Sequence, residues 1–255
     1  MDIMIILGLI GAAISFYVGM PSLLTEYGTY LQVNSFVFVL GGTLCSIMIS
    51  TSLTEFKTIF ILFKQLIFKP KRLAPKAVVI KLVKIAEIAQ GSNKQNLVKE
   101  GVGIGDGFLE RALVLVAEGL DAEFIKRTLE TDIEEMHARH GAMISMVRSM
   151  GSFAPMFGMM GTVMGVTQVL KNVTDIDTIV SGMSLALLTT LYGLILSSIL
   201  FIPLTNKLRN ITARETLSKV IITEGILMIL DKEIPLKVEK YLSAYLPGKE
   251  KNGKD

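Results

Sequence analysis

Residues 149–170 read SMGSFAPMFGMMGTVMGVTQVL, twenty-two residues without a charge but with four glycines and a proline. As a helix this stretch is long enough to cross a bilayer core, which takes about 20 apolar residues. Three more uncharged runs share that property: Ile3–Thr25, Tyr27–Thr54 and Thr178–Asn206. With 51% hydrophobic residues and a mean hydropathy of +0.54, the chain is expected to be an all-α integral membrane protein. Four transmembrane helices with helical cytoplasmic extensions are the reading.

Basic residues orient it. Between the first two runs there is no Lys or Arg, and between the last two only Lys171. Fifteen lie between Thr54 and Arg148 and ten beyond Asn206, of 26 in all. Positive residues favour the cytoplasmic side, so the middle region, the tail and the N-terminus are expected there. The net charge of +3 is unremarkable, and the basic residues suit anionic lipid headgroups better than nucleic acid. No base precedes the first run, and its apolar part exceeds a usual signal h-region, so a retained helix is expected. Cys45 cannot form an internal disulfide and reads as a small core residue.

Four segments follow: 1–53 with helices one and two, 54–148 as a cytoplasmic helical region, 149–206 with helices three and four, and 207–255 as a tail helix. EFKTIFILFKQLIFKPKR (55–72) reads as a helix along the inner membrane surface, stopped by Pro70 and Pro75. LAPKAVVIKLVKIAEIAQ (73–90) has apolar residues at three- and four-residue spacing. GVGIGDGFLE (101–110) fails the GxGxxG pattern, because Asp106 or Phe108 stands at its last position, and reads as a loop. Gly119 is expected to end the helix FLERALVLVAEGL. Asp121 is placed to cap a helix running to about His140. The cytoplasmic pieces read as extensions of the membrane bundle rather than a complete soluble fold.

Reactive groups are missing where membrane chemistry would need them. Both histidines, His137 and His140, sit in IEEMHARH, outside the apolar runs. Glu134–His137 matches half of an ExxH di-metal motif whose second copy is absent, and reads as a solvated helix face. No P-loop, CxxC or HExxH is present, so neither an enzyme nor a metal or cofactor site is expected. Nor do the four runs hold a carboxylate, lysine or histidine, the groups that ion-carrying proteins usually keep within the membrane. An ion-conducting machine built on this chain needs its carboxylate from another chain.

The glycines fall in register. Gly151, Ala154, Gly158, Gly161 and Gly165 follow steps of three and four, as do Gly182, Ala186, Thr190, Gly193 and Ser197. Each set lies on one helix face, and small faces let backbones approach closely in lipid. The two faces either pack on each other within one chain or form a groove for a partner's helix. In the second case Thr162, Thr189, Thr190 and Tyr192 offer hydroxyls to an ion. Pro155 and Pro203 each remove a helix hydrogen bond and suit hinges.

GSFAPMFGMMGTVMGVTQVLKNV followed by GMSLALLTTLYGLILSSILFIPLTNKL closely resembles the third and fourth spans of the motility protein A family, the larger membrane subunit of the bacterial flagellar stator. MDIMIILGLIGAAISFYVG, SFVFVLGGTL, GLDAEFIKRTLETDIEEMHARHG and EGILMILDKEIPLKVEKYLSAYLP extend the likeness over most of the chain. The resemblance implies a homo-oligomeric ring of about five subunits around two copies of motility protein B, whose membrane helix bears an aspartate. It implies H+ or Na+ flow, torque on the rotor protein FliG, and a place in the bacterial inner membrane. Gly151, Ala154, Gly158, Gly161, Gly165 and Gly193 would then pack on the partner helix. Pro155 and Pro203 match the family's functional prolines, Thr190 its pore-facing threonine, and Thr162 the adjacent GT step, with Thr189 and Tyr192 beside them.

One departure concerns the rotor. The family's arginine and the glutamate eight residues later align with Gln90 and Val98, so Glu87, Lys94, Lys99 and Glu100 are expected as substitutes beside Gln90. An ExbB/TolQ-like energiser of outer-membrane transport or envelope integrity is the alternative family reading, and a membrane scaffold without ion flux is another.

Overall fold

The computed structural model describes residues 3–19, 27–53, 56–57, 61, 74–91, 98, 101, 107–171 and 173–247. Among these there are helices and no strands. We number them α1 (Ile3–Gly19), α2 (Tyr27–Tyr30), α3 (Val33–Ser50), α4 (Pro75–Gln90), α5 (Phe108–Ala117), α6 (Ala122–Lys171), α7 (Ile176–Ile195), α8 (Ile202–Leu230) and α9 (Pro235–Leu242). A π-helical turn, Leu196–Phe201, joins α7 to α8, and a 3-10 turn, Ser243–Tyr245, follows α9.

Among the described residues, three stretches are long and apolar enough to cross a membrane: α3, α6 and the continuous run Ile176–Leu230. The run expected to be the first span forms α1, which at 17 residues is not among these three. Its exposed Leu7, Ile10, Ile14 and Val18 are a surface suited to lipid. Most of the interfacial helix expected over 55–72 lies outside the described residues.

The chain divides into two compact units, one of residues 1–70 and 141–209 and the other of residues 71–140 and 210–255. In the first, α3 packs along α7. Its buried face is Ser35, Val39, Thr43 and Ile47, a strict four-residue step. Gly42 lets the ring of Phe157 lie where a Cβ would stand 2.4 Å from it. Phe38 meets that ring edge-on at 6.1 Å. Cys45 is exposed, correcting its expected place in the core. Two residues beyond Thr43, at about 100° per residue, it points away from the buried face.

The second unit has its own apolar centre. Leu82 and Ile85 of α4, Phe108, Leu109 and Leu113 of α5, Ile125 of α6, Ile221, Ile222 and Ile226 of α8 and Leu242 of α9 are fully buried together. The expected helical extensions share this one core, drawn from segments more than 100 residues apart. Its local punctuation matches expectation. Gly119 takes a positive φ of 79° after α5, which glycine adopts without steric cost. The Asp121 carboxylate accepts the Phe124 amide at 3.0 Å. The helix it caps does not stop near His140, however; α6 runs unbroken for 50 residues. Gly141 costs a helix interior only about 1 kcal/mol, too little to break a ladder continued on both sides.

A charged cluster ties this unit together. Asp132 of α6 accepts from Arg111 of α5 at 2.6 Å and from Lys219 of α8 at 3.3 Å. Lys219 is buried, with its ammonium 4.8 Å from the centre of the Phe108 ring. Burial pushes the Asp132 carboxyl upward, but the hydrogen bonds and charges of Arg111 and Lys219 outweigh it and hold the group below its ordinary value.

Candidate functional site

The two small-residue faces meet within one chain. α6 and α7 run antiparallel, and the contacts step along the seam in order. A Cβ on Gly165 would lie 2.4 Å from the Gly182 carbonyl oxygen and 2.8 Å from the Ala186 amide nitrogen. One on Gly161 would strike the Thr189 hydroxyl at 2.4 Å, and one on Gly158 would come within 3.0 Å of the Thr189 carbonyl oxygen. Further along, a Cβ on Gly193 would lie 2.6 Å from the Ala154 carbonyl oxygen, and one on Gly151 would lie 3.4 Å from the Cβ of Phe201. Of the two arrangements the spacing allows, the structure has this one. The backbones are too close for any other helix to use the same face.

Hydroxyls gather midway along the seam. Thr162 of α6 and Thr190 of α7 face each other, Oγ1 to Oγ1, at 2.5 Å. Thr162 also reaches the Ala186 carbonyl at 3.1 Å and that of Gly158 at 3.2 Å. Thr190 reaches the same two carbonyls at 3.3 Å each. Four oxygens from two helices thus converge, two of them backbone dipoles with no proton to give. Such a cluster offers only oxygen and no net charge, the donor set of a hard cation or a proton relay. Both threonines are half-buried, so the cluster also touches the exterior of the chain.

The other expected site residues take different positions. Thr189 is fully buried and donates to the Leu185 carbonyl at 2.8 Å and to Ala186 at 3.2 Å. Tyr192 ties α7 to the start of α3. Its hydroxyl donates to the Tyr30 carbonyl and accepts the Gln32 amide at 3.0 Å, with Phe36 edge-on to its ring at 5.8 Å. Pro155 lies inside α6, half-buried, and Pro203 is exposed just past the π turn.

Of the expected rotor contacts, Glu87 and Gln90 lie on the exposed face of α4. Gln90 lines a cavity of about 320 Å³ with Ala86, Ala89, Ile229, Lys232 and Glu233. Val98 packs against the second unit's core. Lys94, Lys99 and Glu100 lie outside the described residues.

Two features escape the sequence reading. His137 Nε2 and His140 Nδ1 bond the hydroxyls of Thr216 and Thr212 at 2.9 and 3.3 Å, pairings 79 and 72 residues apart that no local pattern signals. Ser197 donates to the Gly151 carbonyl at 2.6 Å. Its place in the small-residue stripe was visible, but not its partner.

Comparison with known proteins gives this geometry a context. A family model described as the MotA/TolQ/ExbB proton channel family matches residues 102–219. The chain is 32% identical over 254 residues to chemotaxis protein PomA of Vibrio alginolyticus, covering 96% of each. It is 30% identical over 250 residues to motility protein A of Cereibacter sphaeroides, covering 98% of this chain and 97% of that one. The solved structure of the flagellar MotAB stator complex from Bacillus subtilis matches with a TM-score of 0.86, covering 96% of each chain at 26% identity.

Proposed function

The chain belongs to the MotA/TolQ/ExbB proton channel family, on its motility protein A branch, and we propose that it works as the ring-forming subunit of a flagellar stator. The reading rests above all on a hydroxyl-and-carbonyl cluster in a membrane seam whose uncharged runs, 149–170 and 178–206, hold no carboxylate, lysine or histidine. The missing carboxylate comes from the membrane helix of a B-type partner. That helix packs on the α6–α7 pair, whose separation the Gly151, Ala154, Gly158, Gly161, Gly165 and Gly193 seam sets.

Four spans place both termini in the cytoplasm of a bacterial inner-membrane protein, with about five A subunits around two B subunits. An ion, H+ or Na+, passes between the partner's aspartate and the Thr162–Thr190 cluster, with Thr189 and Tyr192 holding the helices around it. Each charge crossing 100 mV releases about 2.3 kcal/mol. Pro155 and Pro203 let the inner helix ends respond to this small step. The second unit pushes the rotor protein FliG through the α4 surface at Glu87 and Gln90 and the charges that follow at Lys94, Lys99 and Glu100.

Deleting the gene in its host is the decisive experiment. Intact filaments on paralysed cells, rescued by the wild-type gene, support the stator reading. Normal swimming in a strain with no second stator pair overturns it and favours an envelope energiser.

The ion path has its own test. Thr190→Val keeps the shape but removes one hydroxyl, leaving the Gly158 and Ala186 carbonyls without it. A lost polar partner costs about 1–3 kcal/mol, so ion flux is expected to fall by roughly tenfold or more while membrane levels hold. Unchanged flux in this variant would remove Thr190 from the path.

A further inference from the structure

Pro155 leaves a gap in α6 that the structure fills from another helix. Proline has no N–H, so the carbonyl four residues back loses its helical donor. That carbonyl belongs to Gly151. The Ser197 hydroxyl donates to it at 2.6 Å, and the bond is buried, with Ser197 only 6% exposed.

The other hydroxyls nearby all serve their own helices: Thr162 and Thr190 reach across the seam, but each also bonds a carbonyl of its own helix. Thr189, Ser198 and Thr205 bond carbonyls of their own helical run, those of Leu185, Leu194 and Phe201. A serine in a helix normally does the same, back to the residue four before it. Ser197 instead crosses to α6.

Ser197 also sits within the π turn Leu196–Phe201, where the Ile202 amide donates to the Ser197 carbonyl five residues back. A π turn carries one residue more than an α turn, re-aims the side chains around it and often marks a functional joint. Pro203 follows within two residues of its end. Both joints of the membrane unit therefore meet at one hydrogen bond: the proline in α6 through its orphaned carbonyl, the π turn before α8 through its serine.

We propose that Ser197 is a positioning residue that couples the Pro155 and Pro203 joints. With the bond made, its hydroxyl stands in for the amide that Pro155 lacks, and bending of α6 is transmitted to the π turn. With the bond broken, a rotation about χ1 returns the hydroxyl to the Gly193 carbonyl of its own helix, and the joints move separately. Ser197 touches no ion and acts through the prolines. The proposal rests on the stator reading of the same helices.

The experiment measures variants in a host deleted for this gene, with wild-type rescue as the check on the stator reading itself. Torque is read as the height of discrete speed steps when single units join a loaded motor, a quantity that membrane abundance does not change. Ser197→Ala is expected to lower the step at least about threefold, and Ser197→Thr, which keeps the hydroxyl, to restore most of it. The purified complex with its partner supplies a second readout that needs no torque. Ser197→Ala should lower its melting midpoint by about 3 °C when residue 155 is proline. In a Pro155→Ala background, where the amide is restored, it should lower it hardly at all. Wild-type step heights in Ser197→Ala, or equal melting shifts in the two backgrounds, would overturn the proposal.

Discussion

Gly165→Ala is expected to lower the stability of the membrane unit by about 3 kcal/mol or more, the upper range for overpacking. The added methyl would stand 2.4 Å from the Gly182 carbonyl oxygen and 2.8 Å from the Ala186 amide. Both obstacles are backbone and cannot rotate aside. Ordinary contact needs about 3.5 Å, so the two helices must part by about 1 Å. That gap opens along the whole seam, forfeiting dispersion contacts at Gly161 and Gly158 and loosening the Thr162–Thr190 pair. In lipid no hydrophobic force draws the helices back together. Gly41→Ala makes a matched control, since nothing lies within 4 Å of its added carbon; there alanine should be neutral or slightly stabilising. Thermal melting of the detergent-solubilised complex separates the two, and equal midpoints for both variants would refute the seam as a tight contact.

The second large effect lies at Asp132. The shorter of its two bridges, to Arg111 at 2.6 Å, is the weaker contributor, because the Arg111 side chain is 56% exposed. Exposed pairs contribute about 0–1 kcal/mol, so Arg111→Ala should cost no more than that. Lys219 has a 6% exposed side chain and relies on Asp132 at 3.3 Å. Asp132→Asn would remove the counter-charge of that ammonium, which keeps its place 4.8 Å from the centre of the Phe108 ring. The expected loss is about 3 kcal/mol, the lower end for a broken buried pair. Adding Lys219→Met should recover most of it, since an apolar side chain of similar volume does not need a counter-charge.

The same cluster sets a pH dependence. The Asp132 carboxyl is held below its ordinary value of 3.8 in the folded state. It therefore adds stability above that pH, which is lost as pH falls through the folded value. Acid unfolding of the wild type should show this component below pH about 4, and Asp132→Asn should lack it. Identical acid curves would show that the pair is not linked to folding.

The apolar runs and the three-and-four spacing of small residues were enough to read helices, membrane residence and a close helical seam. Those properties depend on local periodicity and on the backbone's need to satisfy its own hydrogen bonds in lipid. Gly119 and Asp121 marked a helix boundary for the same local reason. The unbroken passage of α6 through Gly141 was not legible, because a lone glycine is only a weak breaker. Nor could spacing say which helix the glycine face would meet; that depends on the register of α6 against α7. The Tyr192 link to Tyr30, the Asp132–Lys219 pair, Val98 at the core and Ser197 on the Gly151 carbonyl join residues between 46 and 162 positions apart or bury them among such neighbours. Only the folded chain brings those groups within bonding distance, so their roles belong to the tertiary structure.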